Sequence, residues 1–155
     1  MNLSLRPMAP EDVASMRTWH YPDPYDTYDL DADPGDIHLM LAEIASDQRW
    51  FAAVDPGTDE LIGFFEFVVL EDEVEIGLGL RPDLTGRGLG VGLVEAGLAL
   101  ARERWSPKGF ALDVFPWNQQ AIKAYEHAGF VRGHVYTRHF EGGAERLFLR
   151  MSRRT

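Results

Sequence analysis

The chain has 155 residues, enough for one domain with its own core, and its 45% apolar and 26% charged composition is that of a folded protein. A net charge of −10 argues against a general nucleic-acid binder, which needs clustered Lys and Arg; it suits a cationic partner, or serves solubility alone. The absence of cysteine removes disulfides, thiolate nucleophiles and Cys-based zinc sites, and no run is apolar enough to span a bilayer, so a cytoplasmic location is expected.

Leu3, Leu5 and Pro7 alternate with Ser4 and Arg6 as in a first strand. Pro10, Glu11 and Asp12 open a helix that continues through Val13 and Met16. Residues 20–36 hold three tyrosines, six aspartates and three prolines with little periodicity, which reads as a long loop, with room for a short helix, leading to a helix over 37–45. Strands follow over 50–54 and 61–70, separated by the turn Asp55-Pro56-Gly57. Val74, Ile76, Leu78 and Leu80 then alternate with Glu73, Glu75, Gly77 and Gly79. This predicts a strand whose second face thins to bare backbone, as at a bulge or where a ligand approaches closely.

Past the glycine-rich run at 85–92, Val94, Leu98, Ala101 and Trp105 recur at helical spacing. Phe110, Leu112 and Val114 form another strand. Asn118 is placed to cap a helix carrying Ala121, Ile122, Tyr125 and Ala128, and Gly129 is placed to stop it. Strands at 131–140 and 146–151, joined by Gly142-Gly143, close the chain as a hairpin. The order predicts one mixed α/β domain over 1–155, with a meander and at least one parallel pairing.

The run Thr85-Gly86-Arg87-Gly88-Leu89-Gly90 lies between a strand and a helix. Unpaired N–H groups and the helix dipole favour an anion there, glycines allow its close approach, and Arg87 adds a charge-assisted contact. A dinucleotide fingerprint is excluded by spacing, since Val91 or Leu93 stands where its third glycine belongs. A mononucleotide phosphate loop is excluded by the missing lysine. Glycines that merely permit tight strand-to-helix packing remain an alternative.

Pro82-x-x-Thr85-Gly86-x-Gly88-Leu89-Gly90-x-x-Leu93 resembles motif A of the Gcn5-related N-acetyltransferases (GNAT family). Leu112-Asp113-Val114-x-x-x-Asn118-x-x-Ala121-Ile122-x-x-Tyr125-Glu126-x-x-Gly129-Phe130 resembles their motif B, in the family's order and separation. Thr85 departs from the family's usual Gln or Arg. The resemblance implies a GNAT-like fold, a mixed and mostly antiparallel sheet of about seven strands with about four helices. It implies acetyl-CoA as donor, CoA as product, and a primary amine as acceptor that attacks the thioester directly.

Carried over residue by residue, the resemblance implies that the cofactor is held by Leu78, Gly79 and Leu80 on the fourth strand. Its phosphates fall to Thr85, Gly86, Arg87, Gly88, Leu89, Gly90 and Val91, with Asn118 and Tyr125 from the second block. Tyr125 is the implied general acid for the departing thiolate, its alternative a core aromatic beside Ile122. For the base, Glu75 lies on the strand that resembles the family's base-bearing strand, with Glu66 and His20 as further candidates. The acidic loop, with Tyr21, Tyr25 and Tyr28, is a candidate acceptor pocket whose ring faces and carboxylates suit an ammonium; for most of its aspartates a solvated loop is the plainer reading. Tyr25, Tyr28 and Glu66 are the expected substrate contacts. No metal site is expected, because the aspartate spacing lacks the Gly and closing Glu of a calcium loop.

The expected partner is a small-molecule or peptide amine, with no nucleic acid and no membrane, and the chain is expected as a monomer or homodimer. Two rival readings stand beside the enzyme: a non-catalytic acyl-CoA-binding or regulatory module on the same fold, and a nucleotide-phosphate binder.

Overall fold

The computed structural model describes residues 2–155, Glu141 by its backbone alone. Seven strands form one mixed sheet in the order β1-β2-β3-β4-β5-β7-β6, and four α-helices accompany it. The chain divides into two compact units that share strands β3 and β4.

The first unit comprises residues 1–66 and 78–89. Strands β1 (Ser4–Pro7) and β2 (Trp50–Val54) pair antiparallel, and β2 pairs antiparallel with the start of β3 (Leu61–Leu70). Helix α1 (Pro10–Met16) and helix α2 (Pro34–Ser46) lie between β1 and β2 in the chain. Each buries residues three apart, Val13 with Met16 and Ile37 with Met40, in one cluster with Met8, Trp19, Ala52, Val54 and Leu61.

Helix α2 starts three residues earlier than the apolar spacing predicts. Asp33 accepts from Gly35 N–H at 3.1 Å as its N-cap, and Pro34 occupies the first turn, where its missing N–H costs nothing. The predicted loop before it contains two short 3₁₀ turns, Tyr25–Tyr28 and Leu30–Ala32.

The second unit comprises residues 67–77 and 90–155. Strand β4 (Glu73–Leu80) runs parallel to β5 (Gly109–Val114) over the pairs Glu73↔Gly109, Val74↔Phe110 and Glu75↔Ala111, and that ladder ends at Glu75. Strand β5 pairs antiparallel with β7 (Glu145–Arg154), which forms a hairpin with the edge strand β6 (Val131–His139). The tight turn between them places Gly142 and Gly143 at φ +83° and +84°, a conformation open to residues without Cβ.

Helix α3 (Gly90–Trp105) buries Leu93, Val94, Leu98 and Ala101, the last three predicted from spacing. Its last turn is fixed by Trp105 against Phe67 (5.4 Å between rings) and Arg102 over Phe110. Helix α4 (Gln119–His127) buries Ile122. Arginine supplies most cations of the ion pairs. Among the described residues, Lys108 with Asp72 is the one pair built on lysine.

Candidate active site

Strand β4 ends in the first unit at Leu78, Gly79 and Leu80. Arg81 N–H donates to the Ile62 carbonyl at 2.8 Å, and the Arg81 guanidinium donates to the Leu61 carbonyl and meets Glu60 and Asp83. The bare face expected at Gly79 is not open. A Cβ there would lie 2.2 Å from Cε1 of Phe64, so the glycine makes room for a ring on the neighbouring strand. That corrects the ligand-approach reading of the Gly79 side face; the strand's backbone edge is a separate matter.

The short helical turn Pro82–Leu84 leads to Thr85, whose hydroxyl donates to the Pro82 carbonyl at 2.8 Å. Its hydroxyl thereby closes the turn, and its oxygen keeps acceptor capacity. Gly86 and Gly88 follow at φ +73° and +76°. Around Gly88 there is open space where a Cβ would stand, and Arg87 and Gly88 are exposed. In the second unit, α3 begins at Gly90, with Gly92 equally open. Left-handed glycines turn successive N–H groups to one side, and a sixteen-residue helix begins with unpaired N–H groups. Each of these, the left-handed glycines and the helix start, is by itself a feature that favours an anion.

Asn118 is 7% exposed and accepts the Ala121 N–H through its side-chain oxygen at 3.1 Å, as the capping pattern predicts. Helix α4 ends in two overlapping bonds, Phe130 N–H to the Tyr125 carbonyl and Gly129 N–H to the Glu126 carbonyl, with Gly129 at φ +89°. Arg153 adds a bond to the Ala128 carbonyl and a 3.1 Å pair with Glu95 of α3. The start of α3 approaches α4 closely, since a Cβ on Gly90 would meet Cβ of Ala124 at 3.4 Å. Tyr125 thus sits on a helix fixed at both ends, half-buried, its ring edge-on to Phe130 at 6.2 Å.

Glu75 accepts from Arg150 at 3.1 Å, and Arg150 also meets Asp113 at 3.4 Å. Asp113 takes a short hydrogen bond from the Tyr136 hydroxyl, and Arg138 lies at 3.5 Å. Burial, then the bond to Asp113 and its charge, push the Tyr136 phenol upward. This four-strand network was not legible in the sequence, because its members come from β4, β5, β6 and β7. In the first unit, Glu66 of β3 stands in register with Trp50.

Five of the six aspartates of the acidic loop are exposed, as the solvated-loop reading expects, and some of them also hold the local backbone or pair with a neighbour. Asp29 accepts the Tyr21 N–H at 2.8 Å and lies 3.0 Å from His20 Nδ1; Asp31 pairs with Arg17; Asp33 caps α2. Burial and then Asp33 hold the Asp36 carboxyl above its usual range. Tyr25 is half-buried and Tyr28 is exposed, its ring edge-on to Tyr21 at 6.2 Å. The Tyr21 hydroxyl donates to the Leu80 carbonyl at 2.6 Å, a bond that the sequence does not announce. Among the described residues no cluster of metal-ligating side chains occurs, and no helix is long and apolar enough to cross a membrane.

The acetyltransferase (GNAT) family model matches residues 11–130. No curated protein sequence matches the chain. Among solved structures, the fold resembles a spermidine N-acetyltransferase chimera from Vibrio cholerae and hSSAT (21% identity, TM-score 0.73, 99% of this chain and 96% of that one). It also resembles a GNAT-family acetyltransferase from Bacillus anthracis (14%, TM-score 0.78, 99% and 95%). A third likeness is AAC(6')-Ib solved with ribostamycin and coenzyme A (22%, TM-score 0.76, 99% and 94%). With the family model spanning most of the chain, and with both motif blocks inside it, the chain belongs to the acetyltransferase (GNAT) family.

Proposed function

We propose that the chain, as one domain over 1–155, transfers the acetyl group of acetyl-CoA to a primary amine of a cationic small-molecule or peptide acceptor by direct attack. The observation that carries this reading is the opening of α3, where left-handed Gly86 and Gly88 and the open space at Gly88 precede a long helix. Backbone N–H groups of residues 86–91 are the proposed pyrophosphate donors, with Arg87 beside them. Leu78, Gly79 and Leu80 are the proposed backbone partners of the pantetheine arm, and an N–H there would stabilise the developing oxyanion.

The neutral amine forms the new C–N bond as the C–S bond breaks. Tyr125 is the proposed acid that gives its proton to the departing thiolate. Glu75 is the proposed acceptor of the amine's proton; its Oε2 is held by Arg150, which leaves Oε1 for that role. Tyr25, Tyr28 and Glu66 are proposed acceptor contacts. The cationic class is supported by the net charge of −10 and by the spermidine named for one structural neighbour.

The test is acetyl-CoA turnover over a panel of amines that includes spermidine, ribostamycin, amino acids and peptide N-termini. Tyr125→Phe is expected to lower kcat about 100-fold while CoA affinity stays within about twofold. No turnover on any amine, or an unchanged rate for Tyr125→Phe at every pH, would overturn the reading.

A further inference from the structure

The segment between α1 and α2 reaches the end of β4 through a single side chain. Tyr21 leaves the chain beside Trp19, whose indole lies in the buried cluster of the first unit, and its own ring packs against that cluster. Its N–H is held by Asp29 Oδ1 at 2.8 Å, and the other oxygen of that carboxylate lies 3.0 Å from His20 Nδ1. The aspartate closes residues 21–29 into a compact loop, and Tyr28 packs its ring edge-on against Tyr21. From this frame the Tyr21 hydroxyl donates to the carbonyl of Leu80, 59 residues along the chain, at 2.6 Å. Burial, followed by the charge of Asp29 and by Tyr28, raises the phenol well above its usual value, so it stays a donor at any ordinary pH.

The acceptor end is equally constrained. The peptide group joining Leu80 to Arg81 is gripped from both edges, since Tyr21 takes its carbonyl and its N–H donates to the Ile62 carbonyl at 2.8 Å. One residue earlier, the Phe64 ring occupies the side of Gly79. A peptide plane held by two opposed hydrogen bonds cannot rotate without breaking one, and a buried carbonyl left without a donor costs free energy. Removing the Tyr21 hydroxyl frees one edge only, the carbonyl edge of Leu80.

We infer that Tyr21 is a positioning residue: its hydroxyl fixes the Leu80 peptide and so couples the acidic segment 20–33 to the backbone that receives the pantetheine arm. The inference rests on the proposed cofactor role of Leu78, Gly79 and Leu80. Coupling of this kind is reciprocal. Whatever bound CoA gains from a fixed Leu80 peptide, the segment gains in order from bound CoA, by the same factor. A tyrosine that only fills space in the cluster would give no such linkage.

Hydrogen exchange on the full chain, with and without CoA, reads this directly. CoA is expected to slow exchange at the amides of residues 21–32, and Tyr21→Phe is expected to bind CoA about fivefold more weakly by calorimetry and to lose that protection. CoA binding to the unaltered protein without any change in segment exchange would overturn the inference, as would a Tyr21→Phe protein with unaltered affinity and unaltered protection. The exchange arm on the unaltered protein decides the matter even if the variant folds poorly. An unaltered protein that binds no CoA at all would overturn the cofactor reading and this inference with it.

Discussion

A methyl group on Gly79 would stand 2.2 Å from one carbon of the Phe64 ring and 2.6 Å from the next, distances that force either the ring or strand β4 to move. Gly79→Ala is therefore expected to cost about 1–3 kcal/mol in urea unfolding, the usual range for overpacking. Combining it with Phe64→Leu should recover part of that loss, because the two side chains compete for one space; strictly additive effects would show that they do not. The alternation that exposed this glycine was legible in the sequence, but its occupant was not. Spacing along one strand tells which face a residue takes and says nothing of what the neighbouring strand places there. Tyr125 and Asn118 were easier, because their relations to Ala121, Gly129 and Phe130 are local to one helix. Tyr21 lay beyond reach: its bond to Leu80 spans 59 residues and obeys no period.

Helix ends carried the most readable information at the scale of elements, and α1 shows both its worth and its limit. Glu11 and Asp12 marked the first turn, as acidic residues there should. The structure adds that Asp12 accepts the Ala9 N–H at 2.8 Å and takes two bonds from Arg6 of β1, at 2.7 and 2.9 Å, so one carboxylate both caps the helix and ties it to the sheet. Burial alone would raise this carboxyl; the Arg6 bonds, the Ala9 N–H and the charge of Arg6 outweigh it and leave it below its usual value. A depressed folded value gives stability that is present above the ordinary carboxylate range and lost as pH falls through the folded value. Asp12→Asn is expected to cost about 1–2 kcal/mol near neutral pH, less than a fully buried pair because Arg6 is a third exposed. The gap between the two proteins should close in unfolding titrations carried to a pH below the ordinary carboxylate range and through the depressed folded value. A gap that stays constant down to that pH would mean that the charge of Asp12 contributes nothing. At α2 the spacing of apolar residues misplaced the start by three positions, because Asp33 and Pro34 extend the helix past its buried stripe.

For the molecule as a whole, the mixed α/β class, the parallel pairing and the closing hairpin followed from the sequence, whereas the insertion of β7 between β5 and β6 did not, because no local pattern tells which strand of a hairpin joins the sheet. The division into two compact units was not legible, because two of its three boundaries fall inside strands β3 and β4 and the third at the start of α3. Charge acts at this scale too. A molecule of net charge −10 should draw in a polycation, and salt should screen that attraction. With spermidine as the probe amine, kcat/KM is expected to fall roughly tenfold between about 0.02 and 0.2 M salt while kcat holds. Equal salt dependence for a monoamine would assign the effect to something other than the molecule's field. The ion pairs of the fold have a further chemical consequence. A protein that handles an activated acyl group is exposed to it continually, and lysine side chains, through their small neutral-amine fraction, are the ones such a donor modifies. This chain has two, Lys108 and Lys123, against thirteen arginines, and Lys108 with Asp72 is largely exposed. Guanidinium groups stay protonated and do not compete as nucleophiles at neutral pH. The bonds from Arg6, Arg81, Arg150 and Arg153 that hold its helices and strands in place are thus built from a cation its own donor leaves unmodified.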